Sequence, residues 1–411
     1  MRFREQALIR SVLVVLFTVF SSGCQKDYEW DGSIANLLAS QPERFATVLE
    51  DPEKYRIQII YTQIDRNADN LPIFQSYTYR LDADEYFYPA STVKLPAAVL
   101  ALEGLNVSGR YLGERHTEML VGDEKSGESI ARSIEKIAVV SDNAAFNRLY
   151  EFVGPDVLTG QLEQLSFDGV RIMHRLGIPM SLEENRVTAP VAFRTFDENV
   201  QRHTGRLQHA DHSATGPVLR GRAEYVSGKW VGSPKDFASK NAYPLQAQHD
   251  VIKQLMFPDS VLPEQRFALS QEDYAFLYRM FSMYPRESGI EEYHNGERYP
   301  DGYVKFLLYG GDEPRIPDSI RIFNKVGDAY GFLTDAAYIV DFDNAIEFML
   351  AATIYVNDNE TFNDDVYEYD EIGFPFMRNL GQAIYEIELK RERLEGRDST
   401  DARFVGPSRL R

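Results

Sequence analysis

The chain has 411 residues, 44% of them hydrophobic and 12% aromatic, enough to bury a large core in one elaborated enzyme-sized domain. Its formal net charge of −19 argues against nucleic acid or anionic lipid as the main partner, because both repel an acidic surface. A single cysteine, Cys24, excludes an intramolecular disulfide.

At the N-terminus, Arg2, Arg4 and Arg10 precede the apolar run Val12 to Phe20, which is too short to span a bilayer and has the charge order of a secretory signal. The run ends at Ser21-Ser22-Gly23-Cys24, which resembles a lipoprotein signal-peptidase site. Residues 1–23 are therefore expected to be a signal peptide and Cys24 the lipidated residue. Residues 24–41 are expected to tether a 42–390 domain to a bacterial cell envelope, facing the periplasm or the surface.

Tyr55 to Arg66 and Phe74 to Arg80 read as opening strands, rich in Ile, Tyr and Thr. An extended aromatic stretch, Tyr86 to Ala90, then gives way at Ser91-Thr92-Val93-Lys94 to the apolar run Leu95 to Leu102. Three residues apart at the first turn of a helix, Ser91 and Lys94 project from one face with Cβ atoms about 5–6 Å apart, so an unprotonated lysine can take the serine proton. Free N-terminal amides and the positive end of the helix dipole favour negative charge developing beside Ser91. The run has no polar face, which predicts a buried helix, and burial disfavours the charged form of Lys94. Taken alone, the spacing is equally that of a helix cap followed by a surface lysine.

Ser141-Asp142-Asn143 follows a helical segment with Ile130, Ile134, Ile137 and Val140 on one face and opens a second helix, Ala144 to Val153, stopped by Gly154-Pro155. Capping accounts for one of these polar residues, not for three in a row. A loop follows between His174-Arg175-Leu176 and Arg186 to Pro190, with Glu183 and Glu184 near its end. Residues 197–263 read as an insertion punctuated by Gly205, Gly216, Gly221, Gly228 and Gly232. The insertion's His203, His209, His212 and His249 match no metal-ligand spacing, and no metal or cofactor is expected. Its basic residues, Arg202, Arg206, Arg220, Arg222, Lys229 and Lys235, form either a solvated excursion or the border of a cleft that attracts an anion. Ile320 to Val326, Phe332 to Asp341 and Ala345 to Val356 then read as an antiparallel meander. Lys325-Val326-Gly327 lies on its first strand, where a lysine also serves to discourage edge pairing. Residues 391–411 are expected to be a flexible tail.

In this order, Tyr88-Pro89-Ala90-Ser91-Thr92-Val93-Lys94, Ser141-Asp142-Asn143-Ala144-Ala145 and Lys325-Val326-Gly327 resemble the three-part signature of the penicillin-recognising serine hydrolases, on their class A β-lactamase-like branch. The resemblance runs from Tyr55 to Leu389 with one interruption. It implies an α/β (α+β) fold, an antiparallel sheet flanked by helices plus a helical lobe, with a cleft between them. It also implies that Ser91 is acylated, that Lys94 is its base, and that Ser141 passes a proton to the leaving nitrogen. Asn143 then holds the substrate amide and positions Lys94, while Lys325 attracts a substrate carboxylate and tunes Ser141. Gly327 and Asp328 complete the binding strand, with the Ser91 and Asp328 amides as oxyanion hole.

The chain departs from the family pattern at three places. Val326 replaces a hydroxyl residue, Asp328 brings a carboxylate beside an oxyanion donor, and serine stands at position 181, four residues before Asn185, where the family's water-activating glutamate is expected. Glu183 and Glu184 are the candidates to replace it in deacylation, although an exposed pair of loop glutamates is also simply a solvated one. The expected activity is a serine hydrolase that opens a β-lactam or related amide or ester through a Ser91 acyl-enzyme. The alternatives are a D,D-peptidase or esterase on cell-wall-derived or small acyl substrates, and a non-catalytic binding protein that keeps the cleft. The expected partners are that small molecule and a membrane reached through the lipid; the domain is expected to be a monomer that binds no nucleic acid.

Overall fold

The computed structural model describes residues 28–107, 114–194, 200–203, 206–208, 210–311 and 315–393. Residues 1–27, with the expected signal peptide and Cys24, His209, and residues 394–411 lie outside the described residues. Five antiparallel strands form the central sheet in the order Ile320–Ala329, Phe332–Asp341, Ile346–Tyr355, Gln58–Arg66, Pro72–Tyr79. The two opening strands thus add to the C-terminal meander, Gln58–Arg66 pairing with Ile346–Tyr355. Phe332–Asp341 and Ile346–Tyr355 are buried at every position, because both faces of the sheet are covered; this is why these strands read as continuous apolar runs instead of alternating. Tyr330 and Gly331, both with positive φ, make the two-residue turn between the first two meander strands.

One face of the sheet packs on the helical lobe, through side chains such as Val99, Ile137, Phe146, Ile252 and Phe281. The other face is covered by the helices Ile34–Ser40, Pro42–Leu49 and Phe374–Lys390, through Leu37, Phe45, Met377 and Ile384. Each such fully buried side chain contributes about 1.5–3 kcal/mol of transfer free energy. A third, aromatic cluster joins Phe87 and Tyr88 to Phe332, Tyr355 and Phe362 around Phe237.

Three boundaries differ from the sequence reading. The tether expected over 24–41 is shorter, because Trp30 packs edge-on against Tyr61 and Tyr77 and the helix Ile34–Ser40, capped by Ser33, belongs to the core. The insertion expected over 197–263 is narrower. Its glycine-rich strands between 200 and 236 are present, but Leu245–Met256 is a core helix, with His249 bonded to Thr62 and Asp250. The tail expected from 391 is not free at its start, since Arg391 holds Asp65 at 2.7 Å and Glu388 at 3.0 Å, and Arg393 also reaches Glu388. Length and polarity suggested excursions in all three places, and long-range burial overrode them.

Residues 297–311, with the 3-10 turn Asp301–Val304, contribute to the cleft that Ser91 lines. Such a segment has few internal hydrogen bonds, so buried polar groups hold it. Lys305 Nζ donates to Phe281 O and Asn324 Oδ1, both at 2.7 Å, and Asn324 Nδ2 donates to Val304 O and Asp335 Oδ1. Burial pushes Lys305 down to about 7, with Asp335 opposing. Lys305→Met leaves two buried acceptors unsatisfied and is expected to cost about 1–3 kcal/mol in urea unfolding. Because the folded-state pKa lies below the unfolded value of 10.5, the unfolded chain binds more protons between them. Wild-type stability therefore rises with pH relative to the variant, and the gap widens from pH 7 toward 10.5. A gap that narrows over this range contradicts the buried-amine assignment.

Candidate active site

Ser91 lies on a 3-10 turn, Ala90–Val93, that leads directly into the helix Lys94–Val107. Ala90 enters this turn at φ +46°, a left-handed conformation that an alanine holds only when its surroundings over-determine it. The helix is buried on every side from Val93 to Leu102, as its uniformly apolar sequence predicts, and carries Lys94 into the interior at 0% exposure.

Ser141 ends the helix Ile130–Val140. It sits in the left-handed region at φ 57° and ψ 38°, and its amide and that of Asp142 close the helix on Ile137 O and Lys136 O. Glycine is the ordinary occupant of that position; a serine there turns its hydroxyl out of the helix and into the cleft. Asp142 is an N-cap, accepting from the Ala145 amide at 2.7 Å, so capping explains this member of the triplet and frees the other two.

Around Ser141 the two lysines converge. Lys94 Nζ donates to Asn143 Oδ1 at 2.7 Å, to Ser141 Oγ at 3.3 Å, and to Ser141 O. Lys325 Nζ donates to Ser141 Oγ at 2.8 Å and to Val326 O at 2.9 Å. Two lysine nitrogens thus meet at one hydroxyl oxygen, which lines the cleft. Burial holds Lys94 well below the usual lysine range, and the neighbouring Lys325 charge adds to this; Asp142 and Asp328 oppose. Burial also pushes Lys325 down to about 7, against Asp328 and Asp335. Ser91 lines the same cleft from its own turn, while Lys94 Nζ donates to Ser141 and Asn143 and not to Ser91 Oγ.

Gly327 brings the third motif to Ser91. A Cβ at that position meets Pro89 O at 2.3 Å, Ser91 N at 2.9 Å and Thr92 N at 3.0 Å, so only glycine lets this edge strand lie against the Ser91 turn. Ser91, Ser141, Asn143, Val326 and Asp328 line a cleft of about 850 Å³. Asp328 faces its solvent although protein surrounds the carboxylate on most sides; that desolvation raises its pKa, with Lys325 and Lys94 opposing.

The loop candidates stand elsewhere. Glu183 and Glu184 are exposed and neither lines the cleft. Glu184 is the return arm of a capping box with Ser181, accepting its amide at 2.7 Å, and the Ser181 amide and hydroxyl lower its pKa. The loop instead presents Gly177, φ +70°, to the site, so close that an added Cβ lies 2.8 Å from Asn143 Nδ2. Backbone fills the space beside Asn143. The basic residues Arg206, Arg220, Arg222, Lys229 and Lys235 of the insertion do not border the cleft either.

Several supporting residues belong to none of the three motifs. Asn147 clasps the Leu176 backbone from both sides, and Glu151 holds Arg175 through two bonds of 2.6 and 2.9 Å while accepting from the Ala189 amide. Asn143, Asn147 and Glu151 recur every four residues on one helix face, a spacing that was available as a signal. Asn185 completes the loop, accepting from the Arg175 amide at 2.8 Å and donating to Ser181 O.

Residues 47–203, which contain Ser91, Lys94, Ser141 and Asn143, match a family model described as the Beta-lactamase enzyme family. No curated protein matches the chain. Among solved structures, PBP-A superposes with a TM-score of 0.50 at 14% identity, covering 87% of this chain and 97% of its own. A β-lactamase from Sphaerobacter thermophilus DSM 20745 gives 0.49 at 13% identity, covering 88% and 99%, and one from Burkholderia phymatum gives 0.49 at 14%, covering 86% and 99%. The architecture is thus the β-lactamase/transpeptidase-like fold, an antiparallel sheet flanked by helices with a helical lobe.

Proposed function

We propose that the chain is a serine hydrolase that forms an acyl-enzyme at Ser91 with a β-lactam or a related amide or ester. The observation that carries this reading is the Ser141 hydroxyl held between two buried lysines in the cleft that Ser91 enters. In this reading Lys94, once neutral and released from one of its three acceptors, takes the Ser91 proton as Oγ bonds to the carbonyl carbon. Ser141 gives its proton to the leaving nitrogen or oxygen as the carbonyl–heteroatom bond breaks, and is reprotonated from the lysine pair. The Ser91 and Asp328 amides, on the turn and strand that Gly327 holds together, receive the oxyanion.

A D,D-peptidase or esterase reading is favoured over an efficient β-lactamase by one observation: the loop glutamates are outside the cleft and Gly177 closes on Asn143. Acylation is therefore expected to outpace hydrolysis. Mixing the full chain with a neutral activated ester and following intact mass should give a one-to-one adduct that persists after free ester is removed. Equal labelling of a Ser91→Ala protein sinks the assignment, and clearance as fast as acylation sinks the slow-hydrolysis part. We place the protein at a bacterial envelope through lipid on Cys24, which membrane partitioning of the wild type against Cys24→Ser checks.

A further inference from the structure

The edge strand that carries the third motif is buried from Ile320 to Gly327 and first opens to solvent at Asp328. Lys325, the group expected to attract a substrate carboxylate, is 3% exposed, and its Nζ is already bonded to Ser141 Oγ and Val326 O. Val326 supplies no hydroxyl. A substrate group reaching this end of the cleft therefore meets the Asp328 carboxylate before it meets a cation.

The rest of the cleft does not cancel that charge. Glu297 and Asp370 add two carboxylates to the lining. Its two cations are partly committed: Arg298 lies over the Tyr299 ring and 3.5 Å from Glu292, and Arg378 donates to Gly310 O at 2.6 Å. Tyr303, 41% exposed, also lines the cleft. Its phenol pKa is raised by burial, then by the neighbouring Tyr299 and by Asp328, with Arg298 opposing, so the ring lies between a carboxylate and a guanidinium that share the cleft lining. A carboxylate with an aromatic ring nearby is the chemistry that receives an ammonium group.

We infer that Asp328 makes this cleft select acyl substrates that carry a protonated amine near the reacting carbonyl, and disfavour those that carry a carboxylate there. The inference rests on the Ser91 acyl-enzyme reading and narrows its substrate class. Carboxylate-bearing lactams become poor substrates for a reason separate from the nucleophile: their charge meets Asp328 in a partly desolvated cleft, where like-charge repulsion is only weakly screened.

The test uses the full chain and two activated esters of equal size that differ only in bearing an amine or a carboxylate beside the ester. Second-order acylation constants are expected to favour the amine by roughly tenfold or more, the scale of one charge-assisted contact. In Asp328→Asn the ratio should fall toward one, and in Asp328→Lys it should invert. Equal constants in the wild type, a carboxylate preference, or a ratio unmoved by Asp328→Asn overturns the inference. A neutral fluorophosphonate separates the two levels. If it fails to label Ser91 in the wild type, the acyl-enzyme reading falls and this inference with it; if it labels while the charge preference is flat, the inference falls alone.

Discussion

Ser91→Ala should lower acylation by a neutral activated ester by three orders of magnitude or more, and Lys94→Ala by about 10²–10⁴-fold, the usual worth of a positioned general base. Combining the two should add little, because they act on one proton transfer. The geometry also says how to distinguish a base from a merely structural cation. Lys94 is buried and its pKa is depressed by desolvation and by Lys325, so the competent neutral amine is present above that depressed value and is lost as pH falls through it. Wild-type acylation should accordingly slow as pH falls, and the residual rate of Lys94→Ala should lack that limb. A pH profile shared by both proteins would show that Lys94 only braces Ser141 and Asn143.

Gly327→Ala is expected to damage both the fold and the site. The added methyl meets the Pro89 carbonyl at 2.3 Å and the Ser91 amide at 2.9 Å, and both are backbone atoms on a turn already held at φ +46° by Ala90. Neither can rotate away, so the edge strand or the Ser91 turn must shift. Overpacking of this kind costs about 1–3 kcal/mol, and a displacement of about 1 Å at reacting atoms lowers rate by on the order of 100-fold. Urea unfolding and single-turnover acylation of the same preparation measure the two effects. Wild-type values for both would mean that the strand does not lie against the Ser91 turn.

Much of the fold was legible because its signals are local. The two opening strands, the meander and the all-apolar helix after Lys94 follow from β-branched runs, turn residues and the absence of a polar face. The three motifs were legible for the same reason, each occupying the junction where one element ends and the next begins. Positions 24–41, 197–263 and 391–411 were read too broadly because a short polar segment looks the same whether it hangs in solvent or docks a single aromatic. Trp30 and Arg391 show how few contacts suffice to order such a segment.

Glu183 and Glu184 mark the limit most clearly. Residue type and proximity to Asn185 made them candidates for activating water, yet a carboxylate three residues after a serine satisfies a helix N-terminus equally well, and the capping box took Glu184. The sequence by itself determined the order of Ser91, Lys94, Ser141, Asn143 and Lys325 and the elements that carry them, since helix and strand periodicity set which residues share a face. Only the tertiary structure decided that Ser141 Oγ stands between two lysines distant from each other in the chain, that Gly177 and not a glutamate faces Asn143, and that Asp328 opens into the cleft. Those outcomes depend on how separate elements pack across the sheet edge, and distances between elements are set by the side chains and backbone that meet there, which no local pattern encodes.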